Sequence, residues 1–432
     1  MAIDAHAFRA YLERQVDARG LAAFRLLFGL LMCFAVVRFW SKGWIHELYI
    51  SPSYHFSYWG QDWIKPWPGI GMYIHFSVMG LASLALAAGL RPRLSAAILF
   101  FAFTYVELID KATYLNHYYL VSLLSLLLCF LPTGNVWAMT SPHQGKSGTV
   151  PFWCYLLLRA QIALVYFFAG LAKVGHDWIL NAEPLQTWLQ AYLEIPFIGQ
   201  LLTQRWVAYA MSCFGLFFDL TIFIWLLIPK TRCVAYLVCV VFHISIWLLF
   251  PVGIFSWIML ISATLFFAPD WPRYPHNQET YSEPVSDKKF PWPAIAASVI
   301  FLALQIALPL RHYFYPGTTN WTERGYRFSW RVMLIEKTGL VDFTVRTEKT
   351  SFTHYPRQSL TPLQVKMMAT QPDMIQQYAQ HLAAEYRLLG HSNVVVYANS
   401  WASLNGRPSQ KLLRDDADLV TVPLSEALVP LR

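Results

Sequence analysis

The sequence carries few charged residues. Aspartate, glutamate, lysine and arginine make up only 13% of the 432 residues, whereas 56% of the residues are hydrophobic and the mean hydropathy is +0.38. Soluble domains carry about 25% charged residues, so this composition excludes a soluble globular protein and predicts a membrane protein with several spans. The net charge of +8 comes from lysines and arginines scattered through short loops. That distribution is typical of topology signals, so no nucleic-acid partner is expected.

Several sequence motifs of catalysis are also absent. The sequence has no HExxH helix, no glycine-rich phosphate loop and no nucleophile elbow, which argues against metal, nucleotide and serine-hydrolase chemistry. We therefore expect no metal site. The cysteines show no paired spacing that would indicate zinc or a disulfide framework. All six lie in or beside apolar runs: Cys33, Cys129, Cys154, Cys213, Cys233 and Cys239.

Apolar runs predict an α-helical polytopic bundle. Nine runs approach the ~20 residues that a membrane crossing needs: 21–40, 71–89, 94–109, 117–131, 152–173, 207–228, 233–250, 254–268 and 292–310. We therefore expect about nine transmembrane helices within residues 21–310, after a cytoplasmic segment at 1–20. The segment Pro251 to Gly253 separates two of the runs, either as a tight turn or as a kink in one longer helix. The opening segment mixes acidic residues with its arginines, so no cleavable signal peptide is expected.

Lysines and arginines favour one orientation of this bundle. With the N-terminus in the cytoplasm, the inner segments hold the following basic residues: Arg9, Arg14, Arg19, Arg91, Arg93, Lys146, Lys230, Arg232, Arg273, Lys288 and Lys289. The outer segments hold fewer: Lys42, Lys65, Lys111 and Arg205, beside Lys173. The positive-inside rule then predicts an inner-membrane protein whose C-terminal region is extracytoplasmic. The start of the fourth span and the end of the fifth also lie at the outer face.

Residues 311–432 predict a soluble α+β domain. Residues 328–346 predict a hairpin that turns near Lys337-Thr338-Gly339, and residues 393–413 predict a second strand pair that turns at Asn405-Gly406. The segment 361–389 between them predicts a helix that Pro372 can break. Aromatic segments at 44–68 and 178–193 are typical of interfacial segments. The proline-rich, charged segment 270–291 predicts a cytoplasmic linker.

Polar side chains in the apolar runs mark candidate functional positions. Arg159, Tyr166 and Lys173 recur every seven residues, so they share one helix face. Lys173 either faces a cavity or snorkels to the interface and pairs with Asp177 one turn on.

Two further polar groups lie near or within spans. A polar and aromatic group precedes the fourth span, either as a site or as an interfacial belt: Asp110, Lys111, Tyr114, Asn116, His117, Tyr118 and Tyr119. Asp219 in the sixth span and His243 in the seventh predict a buried structural pair, because a buried aspartate needs a partner.

These residues resemble the vitamin K-dependent γ-glutamyl carboxylase family and the membrane domain shared by its bacterial relatives. The resemblance rests on Asp110-Lys111, Asn116-His117, Leu158-Arg159-Ala160-Gln161, Tyr166 to Gly170, Lys173, Asp177-Trp178, Phe218-Asp219-Leu220, Phe242-His243, Gly253 to Ser256, Pro269 to Arg273, Asn320-Trp321-Thr322, Tyr326, Ser329-Trp330, Trp401, Asn405, Arg407 and Asp418. The matches occur in one order along most of the chain.

The resemblance implies an enzyme and a set of site residues. In that family the lysine matching Lys173 deprotonates a reduced vitamin, and the histidine matching His117 assists, beside Asn116. A glutamate γ-carbon is too weak an acid for a side-chain base, so oxygenation of the hydroquinone generates a stronger alkoxide that removes the proton before carbon dioxide adds. The implied quinone-binding residues are Arg159, Gln161, Tyr166, Asp110 and Trp330. The implied co-substrates are reduced vitamin K or a menaquinone-type hydroquinone, O2 and CO2.

Some features depart from the animal enzymes. Ala172 stands where those carry a second lysine, and Leu189 replaces a polar residue. Quinone chemistry is thus better supported than any particular glutamate-containing peptide or protein substrate, and a bacterial or archaeal member is expected. Two alternatives stay open: a non-enzymatic membrane protein that binds quinone or lipid, and an epoxidase without carboxylation. The sequence predicts contact with membrane lipid and gives no oligomeric state.

We expect residues 176 and 350 to face the same outer compartment. The segments richest in lysine and arginine are predicted to be cytoplasmic, and both residues lie on the opposite side of the membrane from those segments. Cysteines at His176 or Thr350, in a background with the six native cysteines replaced by serine, should both react with a membrane-impermeant thiol reagent on intact cells. A cysteine at Lys230 should react only after lysis. Labelling of only one of positions 176 and 350 would contradict the predicted topology.

Overall fold

The computed structural model describes residues 5–58, 60–140, 148–272 and 291–431. Its N-terminal half is helical, with the helices α1 (Ala5–Glu13), α2 (Arg19–Ser41), α3 (Gly71–Ala88), α4 (Pro92–Ile109), α5 (Asn116–Phe130), α6 (Trp153–Ala172), α7 (His176–Leu180), α8 (Leu185–Leu189), α9 (Gly199–Leu202), α10 (Arg205–Leu227), α11 (Arg232–Leu249), α12 (Phe255–Ala263) and α13 (Trp292–Leu310). Two short strands, β1 (Gln15–Asp17) and β2 (Thr149–Pro151), pair antiparallel in this half.

Seven helices of the described chain are long and apolar enough to cross a membrane, so the expected count of nine is not confirmed. These are α2, α3, α4, α6, α10, α11 and α13. Helix α5 has 15 residues, or about 22 Å at 1.5 Å per residue, which is short of the ~30 Å hydrocarbon core. Helix α12 is shorter still, because a 3₁₀ turn over Thr264–Phe266 follows its nine residues. Both remain apolar and pack inside the bundle.

The C-terminal domain is an antiparallel sheet packed against one long helix. Its elements are α14 (Thr319–Thr322), β3 (Lys337–Arg346), β4 (Ser351–His354), α15 (Pro362–Met368), α16 (Pro372–Leu388), β5 (Val395–Leu404), β6 (Gln410–Lys411) and α17 (Leu424–Ala427). The strand order is β4-β3-β5-β6. Alternate residues of β3, such as Val341, Phe343 and Val345, are buried in a core that includes Tyr378 of α16. The predicted α+β character of this region is confirmed.

The predicted hairpin over residues 328–346 is wrong. The segment Lys337 to Gly339 is the start of β3 and pairs with β5, and the turn of the real hairpin lies between Arg346 and Ser351. Gly339 serves close packing instead of a turn, because the backbone carbonyl of Ala369 would meet any Cβ at that position.

Two other predictions for this domain are confirmed. Pro372 begins a new helix, so the segment 361–389 forms α15 and α16. β5 and β6 form the second strand pair, and Asn405 and Gly406 follow β5 with φ values of 50° and 72°. Asparagine and glycine are the residues that tolerate this conformation. Of the predicted cytoplasmic linker, residues 273–290 lie outside the described residues.

Charged contacts join the C-terminal domain to one end of the bundle. Asp177, in the first turn of α7, accepts hydrogen bonds from both terminal nitrogens of Arg407, one of them at 2.9 Å, and from Asn405 Nδ2 at 2.8 Å. Asp373 of α16 accepts from Lys111 Nζ at 3.1 Å and from Arg327 Nη1 at 2.9 Å. The segments that follow α4 and α6 are therefore both fixed to the same domain.

Breaking the contact at Asp177 should loosen this junction. Arg407→Gln should lower the free energy of unfolding by about 2 kcal/mol, as for other hydrogen bonds to a charged group. Arg414→Gln is the matched control and should change little, because the Arg414–Asp416 pair lies in solvent with side-chain exposures of 53% and 71%. Thermal unfolding in detergent measures both variants, and equal effects would contradict the assigned role of Arg407.

The same contact gives a pH dependence. Burial raises the pKa of Asp177, but the hydrogen bonds from Arg407 and Asn405 outweigh it and hold the pKa below its ordinary value. A carboxyl with a depressed folded-state pKa stabilises the fold above its unfolded pKa of about 4 and loses that contribution as the pH falls further. The difference in melting temperature between wild type and Arg407→Gln should therefore shrink below pH 4. A difference that grows in acid would contradict this assignment.

Candidate active site

Lys173 follows the last residue of α6 and is buried beside α10. Gly170 allows this approach, because a Cβ at Gly170 would lie 2.8 Å from the backbone nitrogen of Leu220 on α10. Lys173 Nζ donates to Asp219 Oδ2 at 2.7 Å and to the Ala169 carbonyl at 3.2 Å. Lys173 is only 5% exposed and Asp219 6%, so the pair lies away from water.

Two predicted pairings are corrected by this geometry. Lys173 does not pair with Asp177, because Asp177 faces Arg407 of the C-terminal domain. Asp219 does not pair with His243 either: His243 Nε2 lies 2.9 Å from Tyr166 Oη. An ammonium group forms a stronger, charge-assisted hydrogen bond to a carboxylate than a neutral imidazole does. Asp219 is therefore bonded to Lys173 and not to His243.

The Lys173 chamber is a small cavity of about 70 Å³. Its polar lining consists of Lys173, Asp219, Tyr166 and His243. Its other walls are apolar and include Trp178, Phe242, Phe255, Met259 and Met333. Trp178 lies with its ring 5.1 Å from Lys173 Nζ, and its indole donates to the Ser212 carbonyl at 2.9 Å. The chamber has room for a few water molecules at most.

The junction cavity is a larger space of about 550 Å³ between the bundle and the C-terminal domain. His117 and Asn116 of α5 line it together with Arg38 of α2 and Glu107 of α4. Its remaining charged lining consists of Lys111, Glu323, Arg327, Arg331, Glu336, Lys337 and Lys366. Its volume is that of a typical small-molecule site.

A thin wall separates the two cavities. Phe255, Val332 and Met333 line both of them. The Phe255 ring centroid lies 6.0 Å from the ring of His117 and 6.0 Å from the ring of His243. The structure thus brings His117 and Lys173 to neighbouring cavities and places Phe255 between them.

Asn116 is fixed by the C-terminal domain. Its Nδ2 donates to the Arg331 carbonyl at 2.9 Å and its Oδ1 accepts from Tyr114 Oη at 3.1 Å. Asn116 therefore ties the start of α5 to the segment that carries Val332 and Met333.

Four of the predicted quinone-binding residues line neither cavity. Arg159 lies at the other end of α6, where it donates to the carbonyls of Leu265 at 2.7 Å and Phe267 at 2.8 Å. Asp110 is buried and accepts from Ala112 N and Gln364 Nε2, both at 2.8 Å.

The other two are also buried. Gln161 is fully buried, and Trp330 stacks on Tyr119 with ring centroids 5.0 Å apart. Tyr166 alone of the predicted quinone-binding group reaches the Lys173 chamber. For the other four, quinone binding stays a prediction that this placement does not support.

Three residues of the site were given no role in the sequence analysis: Arg38, Glu107 and Phe255. Glu107 had a usable signal, because it is the acidic residue of the apolar run 94–109 and acids at membrane depth are rare. Phe255 lies in the segment Gly253 to Ser256 that carries the family resemblance, but a phenylalanine in an apolar helix gives no further indication of a role.

The fold and site define a polytopic membrane protein whose cavities are completed by a C-terminal domain. Two family models match the chain: the HTTM domain over residues 13–271 and the vitamin K-dependent gamma-carboxylase lumenal domain over residues 292–427. The chain belongs to the vitamin K-dependent gamma-carboxylase family. No solved structure matches it.

Removal of Asp219 should destabilise the protein through Lys173 and not through His243. Asp219→Ala leaves a buried ammonium group without its carboxylate, which costs about 3–5 kcal/mol. Adding Lys173→Met should recover much of that loss, whereas adding His243→Ala should simply add its own effect. A double-mutant cycle by thermal unfolding in detergent measures both couplings, and a coupling to His243 larger than that to Lys173 would contradict the observed pairing.

Proposed function

We propose that this protein couples the oxidation of a reduced naphthoquinone to its epoxide with carboxylation of glutamate in a peptide or protein at the extracytoplasmic face. Membership of the carboxylase family supports a carboxylase-type membrane protein. The observation that carries the proposal is the buried Lys173–Asp219 pair beside a cavity large enough for a bicyclic ring. The two gaseous co-substrates, O2 and CO2, are small enough to enter either cavity.

In this proposal Lys173 is the base and Asp219 holds its proton. An ammonium group has no lone pair with which to accept a proton. Transfer of one proton from Lys173 Nζ to Asp219 Oδ2 over the 2.7 Å bond leaves a neutral amine and a neutral acid. The neutral amine can then accept a proton from a substrate hydroxyl that lies within hydrogen-bond reach.

The quinol ring is assigned to the junction cavity. The Lys173 chamber of about 70 Å³ is too small for it, whereas the junction cavity of about 550 Å³ suffices. Because Phe255 lines both cavities, its movement would open the wall between them and let a ring hydroxyl reach Lys173. His117 faces the same cavity and is positioned to hydrogen-bond the ring.

Three cations of the junction cavity have no ion pair among the described residues: Arg38, Lys366 and Arg331. We assign the glutamate carboxylate to Arg331, because it precedes Val332 of the wall between the two cavities. Among the described residues, Lys111 and Arg327 share Asp373, and Lys337 pairs with Glu323 at 3.4 Å. Arg331 also lines the junction cavity, and within the described chain its guanidinium donates to the neutral Asn320 side chain alone, at 3.3 Å. Arginine binds carboxylates through two parallel hydrogen bonds.

One assay separates this proposal from its alternatives. Purified protein is incubated with vitamin K hydroquinone, oxygen, labelled bicarbonate and a glutamate-rich peptide, and epoxide and fixed label are measured separately. Formation of both products supports the proposal. Epoxide alone indicates an epoxidase without carboxylation, and neither product indicates a non-enzymatic quinone- or lipid-binding protein.

Lys173→Arg should keep the fold and abolish hydroquinone oxidation. Arginine retains the charge that Asp219 binds, but its pKa above about 12 prevents it from acting as a base near neutral pH. Epoxide formation should fall by at least about 100-fold, the usual contribution of a general base. Lys230→Arg, at an exposed loop position, is the matched control and should leave the rate unchanged.

Rescue provides the second half of this test. Lys173→Ala should regain part of its epoxide formation with small exogenous amines, which can occupy the space of the missing side chain. Wild-type epoxide formation by Lys173→Arg would show that the lysine is not the base.

A further inference from the structure

Arg38 is a cation of the junction cavity that the proposed chemistry does not use. It lies in the last turn of α2 and lines the cavity together with His117. Its guanidinium lies over the Trp44 ring, 4.7 Å from the ring centroid. Among the described residues this guanidinium has no carboxylate partner and no hydrogen-bond acceptor, although it carries five N–H donors. Arg38 therefore brings unused donors and a positive charge to the cavity.

Gly253 leaves a space open between Arg38 and His117. A Cβ at this position would lie 3.4 Å from Arg38 Nη1 and 3.9 Å from His117 Nε2, so both nitrogens approach the same point of the cavity. Gly253 has a φ of 60°, which glycine adopts without strain. The absence of a side chain here lets a ligand oxygen meet both groups.

This space adjoins the wall of the Lys173 chamber. Phe255 lies two residues after Gly253 and lines both cavities. Its ring centroid is 6.0 Å from that of His117. A ring oxygen bound beside Gly253 therefore lies next to the wall that separates it from Lys173.

The acids of the cavity lining do not neutralise Arg38. They are Glu107, Glu323 and Glu336. Glu323 pairs with Lys337 at 3.4 Å, and within the described chain neither Glu107 nor Glu336 forms an ion pair. A cation at membrane depth without a counterion is costly, so an anionic ligand gains free energy by binding there.

We propose that Arg38 and His117 form an oxyanion site that binds the negatively charged oxygen of the ionised hydroquinone. The anion forms when the O–H bond of a ring hydroxyl breaks: the proton binds to the neutral amine of Lys173, and the electron pair stays on the ring oxygen. Arginine keeps its charge near neutral pH, and donors that already face a developing negative charge stabilise it. The identity of the ligand and the role of Lys173 rest on the proposed function.

A naphthol probe tests this site without any turnover. The anion of 4-nitro-1-naphthol is coloured, so its absorbance reports how much of the bound probe is ionised at each pH. The probe is titrated with an excess of full-length protein in a non-ionic detergent, and protein-free detergent is the blank. The wild type should lower the pKa of the probe relative to the blank. Arg38→Gln should raise that pKa by about 1 to 3, the usual effect of one nearby opposite charge.

Two further variants at Arg38 keep the test decisive. Arg38→Met still covers Trp44 but carries no charge, so it should raise the pKa of the probe as Arg38→Gln does, and it replaces that variant if Arg38→Gln does not fold. Arg38→Lys keeps a positive charge and should leave the pKa closer to the wild-type value than to that of the neutral variants.

Arg205→Gln is the matched control. Arg205 also lies over an aromatic ring, that of Tyr209 at 5.6 Å, but it does not line the junction cavity. Its replacement should leave the pKa of the bound probe unchanged.

Three results would overturn the inference. The first is a wild type that binds the probe with the pKa of the blank. The second is a set of neutral variants that keep the wild-type pKa; if they also weaken binding of the glutamate-rich peptide, Arg38 binds the peptide carboxylate instead. The third is an Arg38→Lys variant that raises the pKa as much as the neutral variants do, which would indicate that Arg38 only packs on Trp44.

Failure of this inference is distinguishable from failure of the proposed function. A wild type that lowers the pKa of the probe through Arg38 but forms no epoxide refutes the catalytic proposal alone. A wild type that forms epoxide while its neutral Arg38 variants keep the wild-type pKa of the probe refutes this inference alone.

Discussion

The ion pair between Lys173 and Asp219 is the interaction on which the membrane half of the site depends. Each charge would be costly at this depth without the other. The contact at Gly170 brings α6 and α10 close enough for the pair to form. The Trp178 ring lies 5.1 Å from Lys173 Nζ. Trp178 is also bonded to α10, because Ser212 Oγ donates to the Trp178 carbonyl at 2.6 Å. The ion pair thus links α6 to α10, and the two hydrogen bonds between Trp178 and Ser212 link α7 to α10.

The C-terminal domain is held to the bundle by carboxylates that each bind more than one donor. Asp177 and Asp373 sit on opposite sides of the junction, one in the membrane half and one in the C-terminal domain. Apolar packing accompanies these contacts, because Phe56 and Ala112 of the membrane half share a buried core with Phe343 of β3, and Tyr119 stacks on Trp330.

The sequence predicted local features well and contacts between distant residues less well. The starts and ends of most apolar helices, the break at Pro372 and the turn at Asn405-Gly406 follow from short-range chemistry. Gly339 misled the analysis, because a glycine needed for close packing looks the same in sequence as a glycine in a turn. The partner of Asp219 depended on how α6, α10 and α11 are rotated about their axes, which periodicity alone does not determine.

The shared helix face of Arg159, Tyr166 and Lys173 was a further source of error. Residues spaced by sevens do lie on one face, but Arg159 and Lys173 are 14 positions apart, or about 21 Å along the axis. They therefore lie at opposite ends of the helix.

The wall formed by Val332 and Met333 has a consequence for how the two halves of the chain build the site. These residues belong to the half matched by the lumenal-domain model and close cavities whose other walls belong to the half matched by the HTTM model. Neither half of this chain alone encloses the site: without residues 332 and 333, both cavities would lose one wall.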